Sequence, residues 1–196
     1  HGLVQGRVNG IGFDCALFTN LSHDHLDYHG SMQAYGEAKA RLFETPGLGA
    51  AVINVDDSFG ARLAARIAGR VRVIGYGLSK TATAEYLLAR PIDGSRLRID
   101  SSWGSAQATL NQLGRFNVAN ALGVLGCLLA HGVPFTEAVS LIEDLPSVPG
   151  RMQRVGTGAH GGEAYVDYAH TPDGLETVLQ ALRPHVRGKL IVVFGA

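Results

Sequence analysis

The chain has no surplus of charge: seventeen Lys and Arg residues balance seventeen Asp and Glu. That leaves no electrostatic basis for binding nucleic acid or an anionic membrane surface. Cysteine is scarce, with only Cys15 and Cys127, far apart in the chain. Such a pair builds no disulfide framework, and reduced thiols in a cytosolic protein are the expectation. Long apolar runs are missing too. The longest, "VANALGVLGCLLA", is too short and too broken by glycine to span a bilayer. No basic segment followed by an apolar core marks a secretion signal. Neither a GxxGK[ST] phosphate loop nor an HExxH zinc motif occurs, and there is no internal repeat. The sequence opens on His1 and stops at Ala196, directly after an apolar run, "KLIVVFGA", that reads as a buried strand. A soluble cytoplasmic segment of a longer chain is therefore expected, and a missing motif counts for little.

What is present is an alternation of strand-like and helix-like runs. "DCALFTNLS", "SMQAYGEAKARLF", "AAVINVDD", "SFGARLAARIAG" and "VRVIGYG" follow the order β-α-β-α-β, which predicts a parallel sheet covered by helices. "TATAEYLLAR", "SRLRIDSS" and "SAQATLN", set off by Pro91, Gly94 and Gly104, predict a small antiparallel meander attached to that sheet. Two helices follow, in "FNVANALGVLGCLLAHG" and "PFTEAVSLIEDL". The proline- and glycine-rich "PSVPGRMQRVGTGAHGGE" reads as a linker. "AYVDYAH", "DGLETVLQALRPHV" and "KLIVVFGA" then read as the opening βαβ unit of a second, Rossmann-like domain. The expected division is a central α/β domain over 1–149, a hinge over 150–163 and an incomplete second domain over 164–196.

The densest chemistry lies in "SHDHLDYHG", which packs His23, Asp24, His25, Asp27 and His29 just after a strand. Open α/β sheets bind ligands at such strand ends. The spacing is not a zinc motif, and a hard ion such as Mg²⁺ that keeps most of its waters suits these side chains equally well. A polar, hydrogen-bonded loop with solvated histidines is the alternative. In the next helix Met32, Tyr35, Leu42 and Phe43 trace an apolar stripe, and Lys39 falls on it. A lysine there either snorkels outward or loses charge by desolvation, and a neutral amine can take up CO₂ as a carbamate, an anionic metal ligand. Asn117 and Asn120 lie three apart at the start of a nearly all-apolar helix, where amides serve as caps or read a base edge. Capping explains Asn117 well and Asn120, already inside the helix, poorly. Asp167 and His170 stand between a strand end and a helix start, where anions are favoured. Taken alone, these two read equally as a turn residue and a neighbour of a helix cap.

"TNLSHDHLDYHGSMQAYGEAKARLF", "GRFNVANAL", "PGRMQRV" and "VDYAHTPDGLE" together resemble, in order and at similar spacing, the successive signatures of the Mur ligases. Within that family the branch that adds the third residue of the peptidoglycan stem peptide is the most similar. The resemblance implies an ATP- and Mg²⁺-dependent ligase that forms an amide bond through an acyl phosphate. Its substrates would be UDP-N-acetylmuramoyl-L-alanyl-D-glutamate and a diamino acid, with meso-diaminopimelate the commoner choice and lysine the other. It further implies that Lys39 is carbamylated and that His25 helps hold Mg²⁺. Arg151 and His170 would meet phosphate, Asn117 and Asn120 would lie at adenine, and Asp167 at ribose. Gln5 and Arg7, in "HGLVQGRV", would hold the peptide substrate. Phe116 stands where many members have His. The family's phosphate loop lies upstream of these residues and its amino-acid pocket downstream, so the segment alone is expected not to turn over substrate. Rival readings are another ligase of the superfamily, of the folylpolyglutamate or cyanophycin synthetase type, a metal-dependent hydrolase built on the His/Asp cluster, or a non-catalytic interaction module. Nothing in the sequence sets an oligomeric state.

Overall fold

The alternating runs become strands and helices in a computed structural model that describes residues 2–22, 26–79, 81–93, 95–158 and 161–195. In chain order the first elements are β1 (Cys15–Phe18), the short α1 (Leu26–His29), α2 (Met32–Ala40), β2 (Ala50–Asn54), α3 (Ser58–Ile67) and β3 (Arg72–Gly77). A single 3-10 turn, Arg41–Glu44, continues α2. Then come β4 (Glu85–Asp93), β5 (Arg96–Ser101), β6 (Gly104–Thr109), α4 (Arg115–Ala130) and α5 (Phe135–Glu143). The last are β7 (Gln153–Thr157), β8 (Glu163–Val166) and α6 (Pro172–Leu182).

β1 to β6 form one sheet in sequence order, parallel from β1 to β4 and antiparallel from β4 to β6. The expected parallel core and meander are therefore one continuous mixed sheet. Pro91 sits inside β4 rather than ending it. Beyond Leu88 only β5 pairs with β4, so the missing proline N–H faces an open edge. The first four residues of β2 are all buried because the sheet is covered on both faces. Val52 belongs to a core shared with Leu122, Leu125 and Ile142 of α4 and α5. Ala51 and Ile53 belong to another, with Phe43, Leu63 and Ile67 beneath α2 and α3.

The glycines that break the apolar run of α4 explain how closely it lies on the sheet. A Cβ at Gly126 would stand 2.5 Å from Cγ1 of the fully buried Val52. Gly126→Val is expected to cost about 1–3 kcal/mol by overpacking and to lower Tm by roughly 3–10 °C. An unchanged thermal melt would show that α4 can lift off β2 freely. α4 also packs on β1, and there brings together the two cysteines that the sequence keeps apart. Both are free. The neighbouring thiols act on each other: the pKa of Cys15 is lowered to about 7, and that of Cys127 is pushed up by its neighbour and by burial.

Two expectations need correction. The stretch read as a linker contains β7, which pairs antiparallel with β8 in a separate two-stranded sheet. The run "KLIVVFGA" is not a strand over its described residues, and Val193 and Phe194 are 94% and 83% exposed. Apolar content alone does not make a strand without a partner ladder, so the anticipated βαβ unit is present only as β8 and α6. Among the described residues no helix is long and apolar enough to cross a membrane.

Candidate functional site

Five stretches of the fold converge on one open cavity of about 680 Å³. Asn20 and Ser22 enter it from the loop after β1, and Phe116, Asn117 and Asn120 from the first turns of α4. Val148 and Arg151 come from the loop before β7, and Asp167 to Thr171 from the loop after β8. Asp173, Gly174, Thr177 and Val178 of α6 close the last side. Thr171 caps that helix by accepting the N–H of Gly174 at 3.2 Å, and Pro172 opens it. Asp173 and Gly174 of its first turn line the cavity, at the end of a helix where an anion is favoured.

Arg151 is set by its turn. Its N–H donates to the Val148 carbonyl at 3.0 Å, and the N–H of Gly150 donates to Oε1 of Gln153 at 2.8 Å. The next residue, Met152, has φ +47°, a left-handed conformation that costs a non-glycine residue free energy. Burial of its side chain and a hydrogen bond from its N–H to Oδ2 of Asp167, at 2.8 Å, hold it there. Oδ1 of Asp167 accepts from the N–H of Ala169, also at 2.8 Å. The carboxylate therefore ties the two walls of the cavity together. The Arg151 guanidinium lies 4.8 Å over the ring of Tyr168, which is 63% exposed and whose other neighbour is the His170 ring. Nδ1 of His170 is 3.0 Å from the Tyr168 carbonyl. A carbonyl can only accept, so Nδ1 carries the proton and Nε2 is left for a ligand.

Asn117 is buried and its amide donates to the Leu113 carbonyl at 2.7 Å, pinning the loop before α4 rather than capping a helix N–H. Asn120 is exposed, its side chain makes no hydrogen bond to any described residue, and it lines the cavity. Lys39 stands beside the site: its Nζ donates to the Asn20 carbonyl at 3.0 Å and lies 5.0 Å from the Tyr35 ring, which stacks on His29. The apolar stripe anticipated on α2 is only partly formed. Gly36, Ala38, Ala40 and Phe43 are the buried positions, while Met32, Tyr35, Leu42 and Lys39 are half-buried.

The structure thus brings Asn117, Asn120, Arg151, Asp167 and His170 together and sets Lys39 next to them. Gln5 and Arg7 lie exposed in the turn-rich segment over 2–10, and neither lines this cavity. His25, with His23 and Asp24, lies outside the described residues. Among the described residues no three His, Cys, Asp or Glu side chains gather as a metal cluster. Tyr168 was missed in the sequence, where its only signal is an aromatic between two candidate residues in "VDYAH".

Residues 1–128 match the family model described as Mur ligase middle domain, and residues 150–196 match "Mur ligase, glutamate ligase domain". The chain is 50% identical over 200 residues to UDP-N-acetylmuramoyl-L-alanyl-D-glutamate–2,6-diaminopimelate ligase of Ectopseudomonas mendocina, covering all of this chain and 40% of the relative. The Pseudomonas aeruginosa protein of the same name is 48% identical over the same shares. The chain therefore spans about two fifths of the length of these relatives. A solved structure of a 2,6-diaminopimelate ligase of that name superposes with a TM-score of 0.73 at 37% identity, over 93% of this chain and 38% of that one. MurF from Acinetobacter baumannii shares the fold, with a TM-score of 0.74 at 21% identity over 87% of this chain and 37% of that one.

Proposed function

This chain belongs to the Mur ligase family, and from that premise we propose that it is the central part and the start of the C-terminal part of an ATP-dependent amide-bond-forming ligase. The division proposed is a central domain over 1–149 and the start of a second over 150–196, with the paired β7 and β8 belonging to the latter. The reaction joins a diamino acid, meso-diaminopimelate by analogy with the relatives' names, to UDP-N-acetylmuramoyl-L-alanyl-D-glutamate in cytoplasmic peptidoglycan synthesis. The observation that carries this reading is the single cavity into which Asn120, Arg151, Asp167 and His170 converge.

That cavity suits a nucleotide. Its volume is in the range of small-molecule sites, and it offers an unsatisfied amide, a guanidinium, an imidazole and a helix N-terminus. Asn120 reads the adenine edge, with Asn117 holding the loop beneath it, and Asp167 receives the ribose while keeping the Arg151 turn in shape. Arg151 and His170 meet the phosphates. The γ-carboxylate of the D-glutamyl residue attacks the terminal phosphoryl group and ADP leaves. The amine of the diamino acid then displaces phosphate from the acyl phosphate. The residues contribute positioning and charge neutralisation. Lys39 fits a carbamate role because its Nζ meets the carbonyl of Asn20, a residue of the cavity wall. With His25 it would hold Mg²⁺, which supplies positive charge to the transferring phosphoryl group. Gln5 and Arg7 are assigned to the peptide substrate.

The test is an assay of the full-length ligase with ATP, Mg²⁺, the UDP-linked dipeptide substrate and either meso-diaminopimelate or L-lysine. Phosphate release that depends on one diamino acid, with a product heavier by that residue, is expected. Release with neither would sink the assignment.

A further inference from the structure

The chain leaving β1 is gripped at three positions by side chains that the reaction itself does not use. The buried Tyr76 hydroxyl donates to the Phe18 carbonyl at 3.2 Å. Nδ2 of Asn54 donates to the Thr19 carbonyl at 2.8 Å, and Oδ2 of Asp57 accepts the N–H of Leu21 at 2.9 Å. Between the last two grips stands Asn20, whose carbonyl receives Lys39 Nζ. All three gripping residues lie at or just beyond the C-terminal ends of β2 and β3, so the sheet itself sets where that carbonyl sits.

We propose that Asn54 and Asp57, supported by Tyr76, are positioning residues that aim the Asn20 carbonyl at Lys39 and so orient its carbamate. This rests on the carbamate reading of Lys39. A neutral lysine amine adds to CO₂: the new N–C bond forms, one proton is released, and Nζ keeps a single N–H. A carbamate is planar for the same reason as a peptide, because its nitrogen lone pair is delocalised. Fixing the one N–H against a carbonyl therefore fixes the plane of both carbamate oxygens. An Asn20 carbonyl free to wander would leave those oxygens free to rotate.

Both grips can be removed without disturbing the local structure around them. Oδ1 of Asn54 also accepts the N–H of Asp56, at 3.0 Å, so Asn54→Asp keeps that turn and sets an oxygen against the Thr19 carbonyl. Oδ1 of Asp57 caps α3 through the N–H groups of Phe59 and Gly60, at 2.8 and 2.9 Å. Asn is as good a cap as Asp, so Asp57→Asn keeps the helix and sets an N–H against that of Leu21.

The experiment is ¹³C NMR of the full-length ligase in ¹³C-bicarbonate, with Lys39→Ala marking the carbamate resonance by its loss. In Asn54→Asp and in Asp57→Asn the bicarbonate needed for half occupancy is expected to rise roughly 3- to 10-fold, the worth of one hydrogen bond. Turnover should fall in parallel and recover at high bicarbonate, with Tm little changed. A wild-type resonance that persists at unchanged occupancy in a folded variant overturns the positioning role alone. Absence of the resonance from the wild type overturns the carbamate reading of Lys39 and this proposal with it.

Discussion

Replacing Lys39 by alanine in the full-length ligase is expected to lower turnover on the order of 10²- to 10³-fold, the usual cost of deleting one group that stabilises transition-state charge. Nζ of Lys39 is held 3.0 Å from the carbonyl of Asn20, which lines the cavity, and its side chain packs along the Tyr35 and Phe18 rings. The substitution removes the only side chain of α2 placed to present charge there while leaving the buried Gly36, Ala38 and Ala40 untouched. The fold should therefore survive and the loss should appear in kcat. Initial rates at saturating ATP and Mg²⁺ measure it. A rate close to that of the unaltered enzyme would remove Lys39 from the chemistry.

Arg151→Ala carries the second large effect, with a different kinetic signature. The guanidinium rests on the Tyr168 ring, has no carboxylate partner among the described residues and faces the cavity. Charge-assisted hydrogen bonds to phosphate contribute about 1.5–3 kcal/mol, so kcat/KM for ATP should fall roughly 10- to 150-fold. Arg151→Lys should fall between the two. It keeps the charge but loses the planar fork and much of the stacking on Tyr168. Rates as a function of ATP concentration separate these cases, and an unaltered KM and kcat in Arg151→Ala would exclude phosphate contact. The backbone of the turn is expected to persist, because the bonds of Gly150, Arg151 and Met152 do not use the guanidinium.

How much of this was legible in the sequence follows from which signals are local. The continuous apolar run of β2 and the helical run of α3 are written in adjacent residues, and both formed where they were read. β7 was not legible. "QRVGT" has no apolar alternation, because four of its five residues are exposed and its pairing with β8 needs no buried face. The stripe on α2 misled for the opposite reason. Large apolar side chains set the helical period, yet the small residues Gly36, Ala38 and Ala40 are the ones pressed into the protein. At the site, residue types and spacing marked Asn120, Asp167 and His170 as candidates beside capping and turn roles, and the resemblance to the Mur ligases added Arg151. The bond from Met152 to Asp167 and the stack of Arg151 on Tyr168 arise only when distant segments meet, and no local pattern encodes them.

The cavity is assembled from residues running from Asn20 to Val178. Loop closure over such separations comes late in folding, because its entropy cost falls due before the contacts that reward it. The chain's one tryptophan, Trp103, lies elsewhere, packed on the core beneath α4 and α5. Its fluorescence during refolding therefore reports closure of the sheet, an event that precedes the meeting of the β1 loop with the Asp167 loop. A population that has regained its tryptophan signal is native by that optical criterion and still has to acquire competence for ligand.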